Sequence, residues 1–258
     1  MSAREVIEVS DEGAVRLIAF DRPQVKNAFN VDLYRATTSA LADATTEESV
    51  HAVVLTGRGS AFSSGQDLRE MAEIVAGTGP PGIEKGFRGM LDAVAACTKP
   101  LLAAVNGPAI GLGFTVLAHC DLVLVAESAR LRVPFAELGV PAEAASSYLF
   151  PARMGWQEAA RLLLLSEWIT GKEAVQLGVA LRVCPDDLVL GETMEIARRI
   201  AAMPADAVRE IKRLMWAAHG DAVTAARARE DDAFRRMIEA MAARGGGLGP
   251  LAPPAGAC

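Results

Sequence analysis

Short apolar runs recur along the chain, separated by stretches whose apolar positions repeat every three or four residues. Residues 6–9 and 15–20 predict two strands, with Asp11-Glu12-Gly13 as the turn between them. Asn30 precedes a helix-like run to Thr45, where its side chain can accept from a free N–H of the first turn. Residues 51–56 (HAVVLT) predict a strand ended by Gly57 and Gly59. Asp67 and Glu70 fit a reciprocal D-x-x-E cap, so a second helix is expected from Asp67. The run Gly77-Thr78-Gly79-Pro80-Pro81-Gly82 cannot continue it. A helix over 85–97 leads through Lys99-Pro100 into a strand at 101–105, a turn at 106–112 feeds another helix, and 122–125 is the next strand. Strands alternating with helices predict an α/β core. From Ala144 onward the pattern is helical apart from a short strand at 180–183, and the run 221–241 carries apolar Val223, Phe234, Met237 and Ile238. The organisation expected is an α/β core over 1–200, a helical region over 201–244 and a disordered tail over 245–258 (GGGLGPLAPPAGAC).

Composition narrows the function classes. The 258 residues are 51% hydrophobic and 22% charged, enough for a sizeable core. A net charge of −6 argues against nonspecific nucleic-acid binding, which depends on neutralising phosphates, but leaves room for a local basic patch. Cys97, Cys120, Cys184 and Cys258 form no C-x-x-C pair, and His51, His119 and His219 have no i,i+4 spacing, so neither a disulfide framework nor a metal site is expected. The acidic N-terminal letters lack a signal-peptide core and the last three are not of the S-K-L type, which reads as cytoplasmic. Lys99 to Asp121 encloses no Asp, Glu, Lys or Arg, long enough for a membrane span, but Asn106-Gly107-Pro108, Gly111 and Gly113 break it into a buried strand, a turn and a buried helix. No membrane association is expected.

Two segments carry candidate chemistry. In Ala61-Phe62-Ser63-Ser64-Gly65-Gln66-Asp67-Leu68, Gly65 permits a tight bend that can turn neighbouring N–H groups toward a ligand; a plain strand-to-helix turn capped by Asp67 would use the same letters. In Ala104-Val105-Asn106-Gly107-Pro108-Ala109-Ile110-Gly111-Leu112-Gly113-Phe114, glycines flank a helix start that favours negative charge, though close packing alone also needs small residues. Together these segments resemble the paired oxyanion-hole loops of the crotonase superfamily, the enoyl-CoA hydratases and isomerases. The likeness extends to Phe20-Asp21-Arg22-Pro23 through Asn27-Ala28-Phe29-Asn30, to Ile169-Thr170-Gly171 and to 174–178, covering roughly residues 5–240.

That resemblance implies an α/β spiral of repeated ββα units with a C-terminal helical region that forms trimers or paired trimers, acting on an acyl-CoA thioester. CoA would arrive as part of the substrate, with no separate cofactor. The N–H groups of Gln66 and Leu112 would hold the thioester oxygen as charge develops on it; one such donor is typically worth about 3–4 kcal/mol. Ser64 and Leu68 would flank the pantetheine or nucleotide, with Gly65, Asp67, Lys26, Ala28, Gly111 and Phe135 also placed at the substrate. Where the family's hydratases carry two glutamates, this chain has Thr115 and Phe135, neither an acid nor a base near neutral pH.

The stretch Pro134-Phe135-Ala136-Glu137-Leu138-Gly139-Val140-Pro141-Ala142-Glu143-Ala144-Ala145-Ser146-Ser147-Tyr148 resembles instead the peroxisomal-type Δ3,Δ2-enoyl-CoA isomerases, with Glu143 at their catalytic glutamate and Ala144 where they often have glycine. One base that takes a proton from C2 and returns it at C4 suffices for that reaction. Read without the resemblance, Glu143 is a solvated first-turn glutamate and Glu137 a surface-loop carboxylate. Arg22, Lys26, Lys212 and Arg213 could meet CoA phosphates or be plain surface. Trp156, Trp168 and Trp216 read as packing residues and His119 as structural, while Ser63 and Ser64 invite a serine-hydrolase reading with no histidine or lysine nearby in sequence. The alternatives to isomerisation are hydration with an unusual base arrangement, another acyl-CoA reaction, or a non-catalytic acyl-CoA-binding protein.

Overall fold

The hairpin that opens the fold runs two residues longer than its letters suggest. In the computed structural model, which describes residues 6–80 and 82–245, β1 (Ile7–Glu12) pairs antiparallel with β2 (Val15–Phe20). Asp11 and Glu12, expected in the turn, are strand residues. Asp11 stands opposite Arg16 and pairs with it at 2.7 Å, so a cross-strand ion pair accommodates the acid, and Gly13 (φ 61°) makes the turn.

The sheet continues through β3 (Ala52–Gly57), β4 (Leu101–Val105), β6 (Leu122–Ala126) and β9 (Arg182–Cys184), each parallel to its neighbour from β2 onward. A smaller sheet holds β5 (Ala109–Ile110), β7 (Arg130–Arg132) and β8 (Ile169–Thr170). The strand expected at 180–183 is shifted to Arg182–Cys184. β8 was not anticipated, because two residues are too few to carry a period-2 pattern.

The parallel strands read as unbroken apolar runs because both of their faces are covered. Val53, Leu55, Ala103 and Val105 face the main core with α1 (Val31–Thr46) and α3 (Ile83–Ala96). Ala52, Val54, Leu102 and Ala104 face the opposite way, against Met194 and Ala197 of α9 (Val189–Ala201). Asn30 caps α1 as expected, accepting from Leu33 N. The cap of α2 (Leu68–Val75) is only half as expected. Asp67 accepts from Arg69 N, but Glu70 turns away to accept from Val31 N at the start of α1.

Short helices α4 (Leu112–Thr115) and α5 (Phe135–Leu138) follow the strands β5 and β7. The helices α6 (Ser146–Met154), α7 (Trp156–Leu165) and α8 (Gly171–Gln176) precede β9. After α9, α10 (Ala205–Ala217) buries none of its residues, whereas α11 (Gly220–Ala243) buries Val223, Ala226 and Glu230. The inward stripe of α11 therefore packs against this chain's own interior. Exposed apolar residues group on α10 (Ile211, Leu214, Met215) and α7 (Trp156, Leu164, Leu165), with Met237 of α11 also exposed, so Trp156 is not a packing residue within the chain. The tail expected to be disordered lies, beyond Gly245, outside the described residues. Among those described, no helix is long and apolar enough to cross a membrane.

Candidate active site

Because β3 and β4 are parallel neighbours, the chain leaves both at the same edge of the sheet, and the two segments after them meet there. Ile110 N donates to Ser63 O at 2.9 Å, and Phe62 N and Ser63 N both donate to Pro108 O. The N-terminal signature holds this pair from outside. Phe29 N donates to Gly65 O, Asp67 N to Phe29 O and Ser64 N to Lys26 O. Asn27, fully buried with φ 56°, donates from Nδ2 to the carbonyls of Arg58 and Ala61 and accepts from Arg22 N. The asparagine of that signature thus acts as a staple under the loop.

Two glycines set how closely the segments approach. At Gly65 (φ 85°) a Cβ would lie 2.6 Å from Ile110 O and 3.4 Å from Leu112 N. At Gly113 it would lie 2.5 Å from Ser63 O. Among the described residues, the N–H groups of Gln66 and Leu112 have no protein acceptor. Gln66 sits between two residues whose own groups bond to Phe29, and Leu112 is the first residue of a helix, where an N–H has no intrahelical partner. Held on a packed, glycine-tight frame, such donors suit an oxygen that gains negative charge.

Gln66 borders a cavity. Ile74, Ile83, Phe87, Ala142 and Phe234 give it apolar walls. Glu143 faces the same cavity from the stretch between α5 and α6. It is not a solvated first-turn glutamate. Burial, followed by the negative charge of Glu230, pushes its pKa up to about 8. Glu143 is half-buried and lines the cavity. The next two residues, Ala144 and Ala145, are both left-handed (φ 56° and 59°), a costly conformation for residues with a Cβ. Ala144 stands where glycine was expected to be common, and its carbonyl accepts from His119 at 2.7 Å. Since a carbonyl only accepts, Nε2 carries the proton. Burial lowers the His119 pKa to about 4, so the ring is neutral and structural, lying parallel to Trp216.

No local motif pointed to a role for Glu230, which α11 brings to the cavity beside Glu143. Its Oε2 accepts from Ala145 N at 2.6 Å, and its Oε1 accepts from Ser147 N and Ser147 Oγ at 2.9 and 2.5 Å. A signal was present. Val223, Ala226, Glu230 and Phe234 fall on one helical stripe, so a carboxylate sits in an otherwise apolar row. Tyr34 was also missed. Its buried hydroxyl has no hydrogen-bond partner among the described residues, and burial together with the charge of Glu143 holds its pKa well above the usual tyrosine range.

The other expected site residues divide by location. Gln66 and Glu143 border the cavity, while Gly111 and Leu112 are buried beside Gly65. Ser64, Asp67 and Leu68 follow the outer course of the same loop, with Leu68 exposed. Lys26 is exposed and Ala28 buried at the loop that backs it. Asp67 commits its carboxylate to the α2 cap and to Arg22 at 3.3 Å, which removes Arg22 from the candidate phosphate contacts. Lys212 pairs with Asp121 at 2.8 Å and Arg213 with Glu210, and both line a different groove. Thr115 and Phe135 are buried. Glu137 is not a free surface carboxylate: it pairs with Arg132 and lies outside the cavity lining. Ser63 Oγ donates to Asn27 O and Ser64 Oγ to Val25 O, so both hydroxyls tie down the loop and the serine-hydrolase reading loses its nucleophile.

Comparison with known proteins adds to this geometry. The family model described as enoyl-CoA hydratase/isomerase matches residues 10–249. Enoyl-CoA delta isomerase 2 of Rattus norvegicus is 35% identical over 212 residues, covering 81% of this chain and 54% of that protein, so the chain spans about half the length of this relative. The 2,3-dehydroadipyl-CoA hydratase of Escherichia coli is 32% identical, covering 88% of each. A crystal structure of an enoyl-CoA hydratase/isomerase from Pseudoalteromonas atlantica superposes with a TM-score of 0.84 at 33% identity, over 95% of this chain and 100% of the other.

Proposed function

Because this chain belongs to the enoyl-CoA hydratase/isomerase family, we propose that it isomerises 3-enoyl-CoA thioesters to trans-2-enoyl-CoA with Glu143 as the single base. The observation that carries this reading is Glu143, a carboxyl with a pKa raised to about 8, bordering the same cavity as Gln66. A base tuned near the working pH can take up and return a proton within one turnover. Ionised Glu143 removes a proton from C2 of the bound thioester. The resulting enolate oxygen accepts from the Gln66 and Leu112 N–H groups, and the protonated carboxyl then delivers its proton at C4. The apolar walls at Ile74, Ile83, Phe87 and Phe234 suit an acyl chain and exclude water from the dienolate.

The second reading is hydration, favoured by a second carboxylate, Glu230, beside Glu143 on the cavity and by the similarity to the Escherichia coli hydratase. Against it, Glu230 already accepts three hydrogen bonds from the chain, leaving little capacity to activate a water. Parallel assays with 3-hexenoyl-CoA and crotonyl-CoA separate the two. Turnover of the first with little hydration of the second is the expected result, and the reverse would overturn isomerisation. Silence on both, with tight acyl-CoA binding, would favour a non-catalytic binding protein.

Assembly into homotrimers or paired trimers belongs to the same proposal. Its support is the apolar surface left on α10 and α7, where Ile211, Met215, Trp156 and Leu164 are each more than half exposed. Light scattering coupled to gel filtration would test it, and a monomer at micromolar concentration would refute it.

A further inference from the structure

We propose that Glu230 on the C-terminal helix is a positioning residue, which holds the Ala144–Ala145 turn and so fixes where the Glu143 carboxylate stands relative to the Gln66 and Leu112 N–H groups. This rests on the reading of Glu143 as the base. The start of α6 has no local cap, since Ala145 at the N-cap position offers no side-chain acceptor. A carboxylate 85 residues further along supplies what is missing, accepting from Ala145 N, Ser147 N and Ser147 Oγ. Two consecutive left-handed alanines persist only where their surroundings over-determine them. Here the carbonyl of Ala144 is held by His119 and the N–H of Ala145 by Glu230, so the two sides of one peptide turn are gripped from different elements.

The grip is itself braced. Arg88–Asp231 at 3.1 Å and Arg227–Asp92 at 2.8 Å join α11 to α3 on either side of Glu230. The groups around Glu143 are Glu230 from α11, the Tyr34 hydroxyl from α1 and neutral His119 behind the turn, with Glu84, Arg88, Asp231 and Arg235 at the cavity rim. Among the influences that raise the Glu143 pKa, burial comes first and the charge of Glu230 second. Glu230 therefore acts twice, through geometry and through charge, and the two can be separated by substitution.

Glu230→Ala removes both actions. It should lower kcat about 100-fold with little change in KM, the split expected when a reacting group is misplaced while substrate binding is kept. Amide exchange at Ala145 and Ser147 should accelerate in the same variant. Glu230→Gln keeps an acceptor for Ser147 but not the charge. It should retain more of kcat than the alanine variant and move the acid limb of the kcat/KM profile down by about one pH unit, because Glu143 ionises more easily without a like charge beside it. Should Glu230→Ala fail to fold, the glutamine profile decides alone. Equal kcat in both variants and wild type, or an acid limb that stays in place in Glu230→Gln, would overturn the proposal. If the wild-type protein shows no isomerase turnover, the base reading fails separately. Glu230 is then tested by carbon-13 titration of the Glu143 carboxyl, which should still fall in Glu230→Gln, and by exchange at Ala145 and Ser147.

Discussion

The two walls of the cavity are made in opposite ways. The wall holding Gln66 and Leu112 is main chain, drawn from two neighbouring strand ends and locked by glycines and by Asn27. The wall holding Glu143 is side chain, with a carboxyl kept by burial at a pKa far above its ordinary value and a second carboxylate delivered by a distant helix. Backbone donors on a rigid frame cost little and need no reorganisation when charge arrives. A buried carboxyl lowers stability and gains its reactivity from that same desolvation. The first wall should therefore tolerate changes of side-chain identity but not of backbone shape, whereas the second depends on the identity of its side chains as well as on where the turn beside Glu143 is held.

The largest test of this contrast is Glu143→Gln, which preserves shape and removes the base. Isomerase activity should fall by about 1,000-fold with the fold intact, and full activity in a folded variant would refute the assignment. Next is Gly65→Ala, which preserves all polar chemistry but places a methyl 2.6 Å from Ile110 O. Loss of about 100-fold in kcat is expected, whereas Gln66→Ala, which leaves the N–H in place, should stay within about threefold. If Gln66→Ala proves as damaging as Gly65→Ala, the main-chain donor is not what the site uses.

Stability against pH sharpens the comparison further. Glu143 ionises near 4.5 when unfolded and near 8 when folded, so the folded chain binds the extra proton and stability falls as pH rises between those values. His119 is the mirror case. Its pKa drops from 6.5 to about 4 on folding, so stability is lost as pH falls through that interval. The Tm gain of Glu143→Gln over wild type should consequently be larger at pH 8.5 than at pH 5, and a gain independent of pH would count against a desolvated carboxyl. The smallest effect belongs to Asp67→Ala, which removes the α2 cap and the Arg22 pair outside the cavity. A loss of about 1 kcal/mol, roughly 2–4 °C in Tm, is expected with kcat nearly unchanged.

The same contrast explains what could be read early. The loop segments announce themselves through local letters, because a tight turn needs glycine and a cap needs Asn30 or Asp67 within a few positions of the helix it serves. Glu143 was found only through likeness to a family motif; its surroundings come from α1, α3 and α11, which no local pattern links to residue 143. Glu70 shows the limit clearly. Its spacing from Asp67 fits a reciprocal cap, yet it bonds to Val31 N, a choice made by the packing of α1 beside α2. Arg22 and Lys212, plausible phosphate contacts as isolated basic residues, are both claimed by aspartates distant in sequence.

By itself, the sequence determined the alternation of strands and helices and the two glycine-bearing turns, since each depends on the conformational range of residues close together in the chain; the staple at Asn27 joins carbonyls more than thirty positions away and was decided by the fold. Only the tertiary structure decided that Glu143 would be desolvated, that Glu230 would hold the turn beside it and that α11 would turn its stripe inward. Burial and charge coupling depend on what arrives from elsewhere in the fold, and that is fixed by packing rather than by neighbouring letters.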